Sequence, residues 1–196
     1  MVEILGIIGS QNVSSKTRAA VEVALAGAET ERDASIEVLH LAEYDLTTAD
    51  GRPLDECRGE TAEALEMIVR SDAYVLGSPV YKASYSGALK NLLDMIPRGK
   101  WMADVAPLQN SAIGLVATGA SWHHFMSIDT EMRPLMGFFG SYAAGGVYAH
   151  HDHFGDGPAV VDEDIHDRLA MLGAATVELQ EAIDGADYLT EVGPQL

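Results

Sequence analysis

A chain of 196 residues, 47% of them hydrophobic, is long enough to bury a full core as one domain over residues 1–196. Its 30 acidic against 12 basic residues give a formal net charge of -18, which argues against nucleic acid and anionic lipid as partners. The single cysteine, Cys57, excludes an intrachain disulfide and fits a reducing cytoplasm. The apolar runs are too short to span a membrane, so we expect no anchor.

The first half of the chain alternates apolar runs with stretches of helical periodicity. Short β-branched runs that stop at a glycine are typical of buried parallel strands, and apolar residues recurring every three or four positions predict helices. In chain order, we predict a strand at residues 3–8, a helix around 21–28, a strand at 35–41, a helix at 61–70 and a strand at 73–77. This order is typical of a parallel α/β sheet.

The second half continues the alternation. Leu89, Leu92, Leu93 and Ile96 lie at helical spacing and predict a helix that ends at Pro97. The remaining predicted elements are a strand at 112–117, a helix at about 124–136, a glycine-diluted strand around 144–148 and a helix through 165–183. Five strands alternating with helices predict an α/β fold with a doubly wound parallel sheet, whose ligands bind beyond the carboxyl ends of the strands.

The loop after the first predicted strand, residues 9–17, reads GSQNVSSKT and leads directly into a helix. Hydroxyls and free backbone N–H groups at a helix N-terminus bind anions, and phosphate is a natural occupant. The loop matches neither the GxGxxG fingerprint nor a Walker loop. A simple helix cap by Ser14 or Ser15 explains the same pattern equally well.

Two further loops of small residues follow the third and fourth predicted strands. Pro79 offers a rigid apolar ring, and Val80 and Tyr81 can line a flat aromatic ligand. After the fourth strand, the backbone amides of residues 118–121 can face the polar rim of that ligand. All three loops lie on one edge of the sheet, which suits a flavin mononucleotide (FMN), whereas a dinucleotide would need a glycine-rich fingerprint.

The stretch SPVYKASYSGALKNLLD at residues 78–94 resembles the NAD(P)H-dependent FMN reductases of flavodoxin-like fold. Gly9, Ser10 and Ser15 upstream and residues 117–119 downstream share this resemblance, which is strongest to the reductases that supply reduced flavin to alkanesulfonate monooxygenases. It implies a flavodoxin-like three-layer sandwich with a five-stranded parallel sheet, FMN as cofactor and NADPH or NADH as hydride donor. It also implies a homodimer or homotetramer, with the helix of Leu89 as a contact, and a flavin-dependent monooxygenase as a partner.

The resemblance also implies the residues of the site. The FMN phosphate is expected at Ser10, Ser15, Lys16 and Thr17. The ring is expected along Pro79, Val80, Tyr81 and Lys82, with Ser86 nearby. The pyrimidine side is expected at Thr118, Gly119, Ala120 and Ser121. His124 is a further candidate that touches flavin or nicotinamide, although a polar residue at a helix start explains it about as well.

Two positions depart from the family pattern. Asn12 stands where these proteins often place an arginine near the phosphate, so Lys16 or Arg18 has to supply the positive charge. Thr130 stands where the sulfonate-linked reductases carry a tyrosine that favours flavin release, which indicates that FMN is kept here as a bound group.

Hydride transfer needs stacking and alignment more than an acid or base, so we predict no catalytic side chain. The electrons then pass to a small acceptor, a free flavin or a quinone. A flavodoxin-type carrier, which binds FMN without nicotinamide chemistry, is the alternative, and the loop that begins at Pro79 favours the reductase.

Three other residues or groups invite a functional role. Residues 150–153 read HHDH, but adjacent residues on an extended strand point to opposite faces, so we expect no metal ion. Trp122 either shields the ring or packs at an interface. Cys57 lies in a polar stretch and is expected to be a spectator.

Overall fold

The computed structural model of the chain, which describes residues 1–99 and 103–191, contains one five-stranded sheet. Its strands are β1 (Val2–Ile8), β2 (Ala34–His40), β3 (Ala73–Pro79), β4 (Ala112–Gly119) and β5 (Tyr142–His150). They are all parallel and lie in the order β2-β1-β3-β4-β5, which is the flavodoxin order. The predicted α/β class and the flavodoxin-like sheet are therefore confirmed.

The fifth strand is longer than predicted, nine residues in place of five. Its glycines give room to side chains that pack on the sheet. A Cβ at Gly146 would lie 2.5 Å from Cγ2 of Ile128, and one at Gly145 would lie 3.3 Å from Cδ1 of Leu172. The low strand propensity of glycine is thus outweighed by contacts with helices on the two sides of the sheet.

In the described part of the chain, five α-helices cover the sheet: α1 (Lys16–Glu31), α2 (Gly59–Arg70), α3 (Gly87–Leu93), α4 (Arg133–Phe139) and α5 (Glu163–Asp184). The third ends before the predicted Ile96. Met95 and Ile96 donate their N–H groups to the carbonyl oxygens of Leu92 and Leu93, three residues back, so the chain tightens into turns. Pro97 disfavours the α conformation of the residue before it, which explains the early end.

The single helix predicted at about 124–136 is wrong. The structure has a 3-10 turn (Trp122–Phe125), a π-helical turn (Ile128–Met132) and then α4. Pro134, in the first turn of α4, has no N–H group and cannot extend a regular helical hydrogen-bond ladder from the preceding turn. The apolar periodicity is kept, because Ile128, Met132 and Met136 are all buried.

Two hydrophobic clusters fill the two sides of the sheet. One contains the inner faces of α1 and α5 together with Ile4 and Ile8 of β1. The other contains the inner faces of α2, α3 and α4 together with Leu5 and Ile7. Successive β1 side chains thus point to opposite layers, as the pleat of a strand buried on both faces requires. The predicted three-layer sandwich is therefore confirmed.

The packing places the loops after β1 and β3 on either side of the point where the strand order reverses, since β1 lies between β2 and β3. In open parallel sheets, ligands bind beyond the carboxyl ends of the strands at this point. None of the helices in the described residues is long and apolar enough to cross a lipid bilayer.

Candidate functional site

A cleft of about 440 Å³ opens at the carboxyl ends of the strands, where the order reverses. The loop after β1 contributes Ser10, Ser15, Lys16 and Thr17. The ends of β3 and β4 contribute Pro79, Tyr81 and Thr118. Residues from the three loops singled out in the sequence therefore line one cavity.

The loop after β1 is shaped by its own short side chains. The Ser10 hydroxyl accepts from the backbone N–H of Asn12 at 3.2 Å, and the Asn12 side chain accepts from the N–H of Ser14 at 3.1 Å. The Ser15 hydroxyl accepts from the N–H of Arg18 at 3.1 Å and so caps α1. The cap and the cleft-lining role thus coexist in Ser15, and the first turn of α1 carries no acidic residue that would repel an anion.

The structure separates the two candidate sources of positive charge. Arg18 forms ion pairs with Glu22 at 2.8 Å and Glu43 at 3.1 Å. Its hydrogen bond to Glu22 is the main cause that raises its pKa. Lys16 instead lines the cleft, with Nζ 3.1 Å from the carbonyl oxygen of His151 and 5.2 Å from the centroid of the Phe154 ring. Of the two, Lys16 lines the cleft and Arg18 does not.

A buried pair of hydroxyls joins the loop after β1 to the end of β4. Thr17 Oγ1 lies 2.6 Å from Thr118 Oγ1, and both side chains are nearly inaccessible to solvent. Hydrogen-bonded buried hydroxyls avoid the cost of desolvating a free donor. This pair joins two parts of the cleft lining that are 101 residues apart in sequence.

The loop after β3 ends in a tight left-handed turn. Lys82 and Ala83 have φ values of 54° and 68°, which cost non-glycine residues roughly 1–2 kcal/mol each. Paired backbone hydrogen bonds between Tyr81 and Ser84 hold the turn, and Ser84 Oγ donates to Glu131 of the π-helical turn at 3.0 Å. Tyr81, the first residue of this turn, lines the cleft and keeps 61% of its surface exposed.

Three residues predicted along the ring have other surroundings. Val80 is buried in the core, and its N–H donates to the carbonyl oxygen of Thr118 at 2.8 Å. Ser86 is buried, where its hydroxyl donates to the carbonyl oxygen of Gly9 and accepts from the N–H of Leu89, so it caps α3 and ties two loops. Lys82 is exposed on its turn. None of the three lines the described cleft.

Of the residues predicted for the pyrimidine side, Thr118 lines the cleft, whereas Gly119 and Ser121 belong to a separate network beside it. A Cβ at Gly119 would lie 2.9 Å from both His124 Nδ1 and the Tyr148 hydroxyl oxygen, so a side chain there would have to displace these two groups. The Tyr148 hydroxyl donates to the carbonyl oxygen of Ser121 at 2.7 Å. His124 Nδ1 is buried and has no hydrogen-bond partner among the described residues. Ala120, in the same loop, and these neighbours do not line the described cleft, so their contact with a ligand stays a prediction.

The sequence argument missed the fourth wall of the cleft. Asp156, Gly157 and Pro158 line it from the loop between β5 and α5. An Asp-Gly-Pro run is an ordinary turn signal, and no local pattern marks it as a ligand contact. The one available signal is the position of this loop in the chain. It follows β5, a strand parallel to the others, so it starts at the same edge of the sheet as the other loops.

The geometric argument against a metal ion at residues 150–153 is wrong. The strand ends at His150, and residues His151–His153 form a 3-10 turn. The turn brings donor atoms of His150, His151 and Asp152 within 4.8 Å of one another. Trp122 stacks on His150 with ring centroids 4.0 Å apart and keeps 60% of its surface exposed.

Cys57 has the surroundings of a structural residue. Its side chain is buried, and Sγ lies 3.7 Å from the carbonyl oxygen of Pro53. Burial raises the pKa of the thiol, which disfavours the reactive thiolate. These surroundings agree with the spectator role expected from the sequence.

The cleft fits FMN in size and chemistry. Its volume lies within the range of about 300–1,000 Å³ that small-molecule sites occupy. Hydroxyls, the N-terminus of α1 and Lys16 suit a phosphate. The rings of Pro79 and Tyr81, which line the same cavity, suit a flat aromatic group.

Comparison with known proteins agrees with this fit. Residues 2–156 match the family model described as NADPH-dependent FMN reductase. The chain is 33% identical over 182 residues to an NAD(P)H-dependent FAD/FMN reductase of Geobacillus thermodenitrificans, an alignment that covers 91% of this chain and 93% of the relative. It is 29% identical to an NADH-dependent FMN reductase of Pseudomonas putida, over 79% of this chain and 80% of the relative.

Solved structures support the fold. An NADH:FMN oxidoreductase in its apo form superposes with a TM-score of 0.76 at 24% identity, covering 97% of this chain and 94% of that one. The flavoenzyme NAD(P)H:(acceptor) oxidoreductase of Paracoccus denitrificans superposes with a TM-score of 0.68 at 18% identity, covering 93% and 98%. At these identities the likeness establishes the architecture alone.

Proposed function

Because the chain belongs to the NADPH-dependent FMN reductase family, we propose that it binds FMN in the described cleft, takes a hydride from NADPH or NADH and passes the electrons to a small acceptor. One observation carries the proposal. A cationic helix N-terminus and an apolar aromatic wall line the same cavity at the reversal of strand order. A phosphate joined to a flat ring needs both features at once.

Bound FMN supplies the chemistry, because its ring accepts a hydride from the nicotinamide and releases two electrons to the next substrate. The residues of the chain bind and align. Ser10, Ser15 and the first turn of α1 hold the phosphate, and Lys16 neutralises its charge. Pro79 and Tyr81 support the ring, and the exposed Tyr81 side chain borders the space where a nicotinamide has to stack.

A flavodoxin-type carrier would share the fold and the flavin. The relatives favour the reductase, since those that match over most of the chain are named as NAD(P)H- or NADH-dependent. The discriminating experiment records the visible spectrum of the purified protein without oxygen and adds NADH or NADPH. A reductase loses its flavin absorbance on addition of one of them. Bleaching by dithionite but by neither nicotinamide would identify a carrier and overturn the proposal.

We propose a free flavin or a quinone as the acceptor, stacking where the nicotinamide has left. One relative, 34% identical over 57% of this chain, is an FMN-dependent NADPH-azoreductase of Staphylococcus saprophyticus, so a reductase that resembles this chain acts on a small organic acceptor. One shared site predicts ping-pong kinetics, with parallel double-reciprocal lines for the two substrates. Intersecting lines would contradict a shared site.

The remaining proposals concern assembly and the fate of the flavin. We propose from the family resemblance a homodimer or homotetramer with α3 at the contact, and a flavin-dependent monooxygenase as partner. The proposed cytoplasmic location rests on the single cysteine.

Thr130, the position that bears on flavin retention, lies exposed in the π-helical turn, and its hydroxyl donates to the carbonyl oxygen of Met126. Retention of FMN as a bound group predicts that flavin stays with the protein through gel filtration at micromolar concentration, and elution of colourless protein would contradict it.

A further inference from the structure

The turn after β5 gathers three metal-binding side chains. His150 Nδ1 lies 3.2 Å from Asp152 Oδ2, and His151 Nε2 lies 2.9 Å from Asp152 Oδ1. One donor atom from each residue falls within 4.8 Å of the other two. These three residues do not line the described cleft, and the proposed hydride transfer assigns them no role.

The His150 ring is held with a lone pair towards the turn. Its side chain is 3% exposed and stacks on Trp122 with an angle of 12° between the ring planes. Nδ1 accepts a long hydrogen bond of 3.4 Å from the backbone N–H of Asp152, and a bound metal ion would replace that donor at Nδ1. The ring of His153 braces the turn by accepting from the backbone N–H of His150.

The other two donors are accessible. The side chains of His151 and Asp152 are 49% and 62% exposed, so an ion can reach them and keep water in its open positions. Zinc binds imidazole nitrogen and carboxylate oxygen at about 2.0–2.2 Å, which places neighbouring ligands of a tetrahedral ion about 3.4 Å apart. The two distances to the Asp152 carboxylate, 3.2 Å and 2.9 Å, are slightly shorter, and the three donor atoms lie within 4.8 Å of one another, so ligation requires rotation of the exposed His151 and Asp152 side chains.

From this geometry we propose that His150, His151 and Asp152 form a site for one Zn²⁺ ion at the rim of the cleft. Two imidazoles and one carboxylate suit zinc and its neighbours in the first transition series, whereas Mg²⁺ and Ca²⁺ prefer oxygen ligands alone. The site adjoins the phosphate end of the cleft, because the carbonyl oxygen of His151 accepts from Lys16.

The test uses the full chain, freed of metal by chelator and transferred to phosphate-free buffer. Co²⁺ is titrated while its ligand-field absorption is followed, and Zn²⁺ then displaces it, followed by calorimetry. We expect one ion per chain. His151→Asn and Asp152→Asn should each weaken Zn²⁺ binding by roughly a hundredfold, since each removes a ligand.

The matched control is His166→Asn on α5. His166 Nδ1 lies 3.7 Å from Asp167 Oδ1, and both side chains are exposed, but no third donor joins this pair within residues 1–99 and 103–191. Zn²⁺ binding by this control should equal that of the parent chain. Absence of stoichiometric binding, or equal binding by His151→Asn, Asp152→Asn and His166→Asn, would overturn the site. Bleaching by NADH or NADPH is measured separately, so the two proposals fail independently.

Discussion

Where α1 packs on α5, the glycines of the two helices leave no room for an added methyl group. The loops around the cleft, in contrast, are joined by individual hydrogen bonds. In the first region, which we call the α1–α5 seam, Ala24 and Gly27 lie against Ala170 and Gly173. A Cβ at Gly173 would fall 1.7 Å from the carbonyl oxygen of Ala24, and one at Gly27 would fall 2.2 Å from that of Ala170. Backbone packs directly on backbone along the seam.

The second region, which we call the rim, comprises the loops after β1, β3 and β5 together with the end of β4, and individual polar contacts hold it together. The Thr17–Thr118 hydroxyl pair, the Lys16 contact with His151 and the strained turn at Lys82 each depend on one or two bonds. Shape and apolar burial thus decide the stability of the seam, and single polar groups decide the chemistry of the rim. Substitutions in the two regions should therefore separate stability from flavin binding.

The largest expected effect is in the seam. Gly173→Ala gains up to about 1 kcal/mol of helix propensity, but its methyl group must push two backbones apart, at a cost of roughly 1–3 kcal/mol or more. We expect the free energy of unfolding, measured in urea, to fall, with the dissociation constant of FMN unchanged. Gly137→Ala in α4 is the control, since among the described residues no atom outside its chain neighbours and its own helix backbone lies within 4 Å of its Cβ position, and it should be neutral or stabilising. Equal effects of the two substitutions would refute the comparison.

The second effect is in the rim. Lys16→Gln removes the cation at the phosphate end, and charge-assisted hydrogen bonds contribute about 1.5–3 kcal/mol, so the dissociation constant of FMN should rise at least tenfold. The stability of the flavin-free protein should change by less than about 0.5 kcal/mol.

Arg32→Gln removes the same charge at the opposite end of α1, where Arg32 pairs with Glu181 of α5. This control should leave the dissociation constant of FMN unchanged. A similar loss of affinity in both variants would mean that the overall field of the acidic chain, and not a local contact, attracts the phosphate.

The smallest effect concerns His40, the last residue of β2. Its side chain is buried, although it lies at the carboxyl end of the sheet, where the cleft opens. Burial lowers the pKa of His40, and this effect is larger than the effects of the charges on Glu43, Arg18 and Glu22. The unfolded chain therefore binds the proton more readily. The stability that the neutral imidazole provides is present above the unfolded pKa of about 6.5 and is lost as the pH falls through the folded pKa.

His40→Asn keeps an acceptor for the N–H of Ala42 and removes the titration. Unfolding free energies measured in urea from pH 8 to pH 5 should fall less steeply for the variant than for the parent chain. The difference at pH 8, where both side chains are neutral, reports packing alone and serves as the internal control. Parallel curves for the two proteins would exclude His40 as a source of the acid sensitivity.

Much of the fold was predictable because the signals are local. The apolar run of β1 and the apolar stripe from Ile165 to Ile183 of α5 indicate directly which residues are buried. The predicted bounds of both elements therefore lie close to the observed ones. The helix predicted at about 124–136 is wrong as a single helix, because the apolar periodicity of this segment continues through a π-helical turn. Periodicity reports which face is buried and not which hydrogen bonds form.

The sequence by itself determined the alternation of strands and helices, and with it the edge where three polar loops meet. The tertiary structure decided that Lys16 and not Arg18 points into the cleft, that Asp156 closes its far wall, and that residues 150–152 converge in a turn. Lys16 and His151 are 135 residues apart. Such contacts follow from the order of strands in the sheet, and no local pattern of side chains encodes that order.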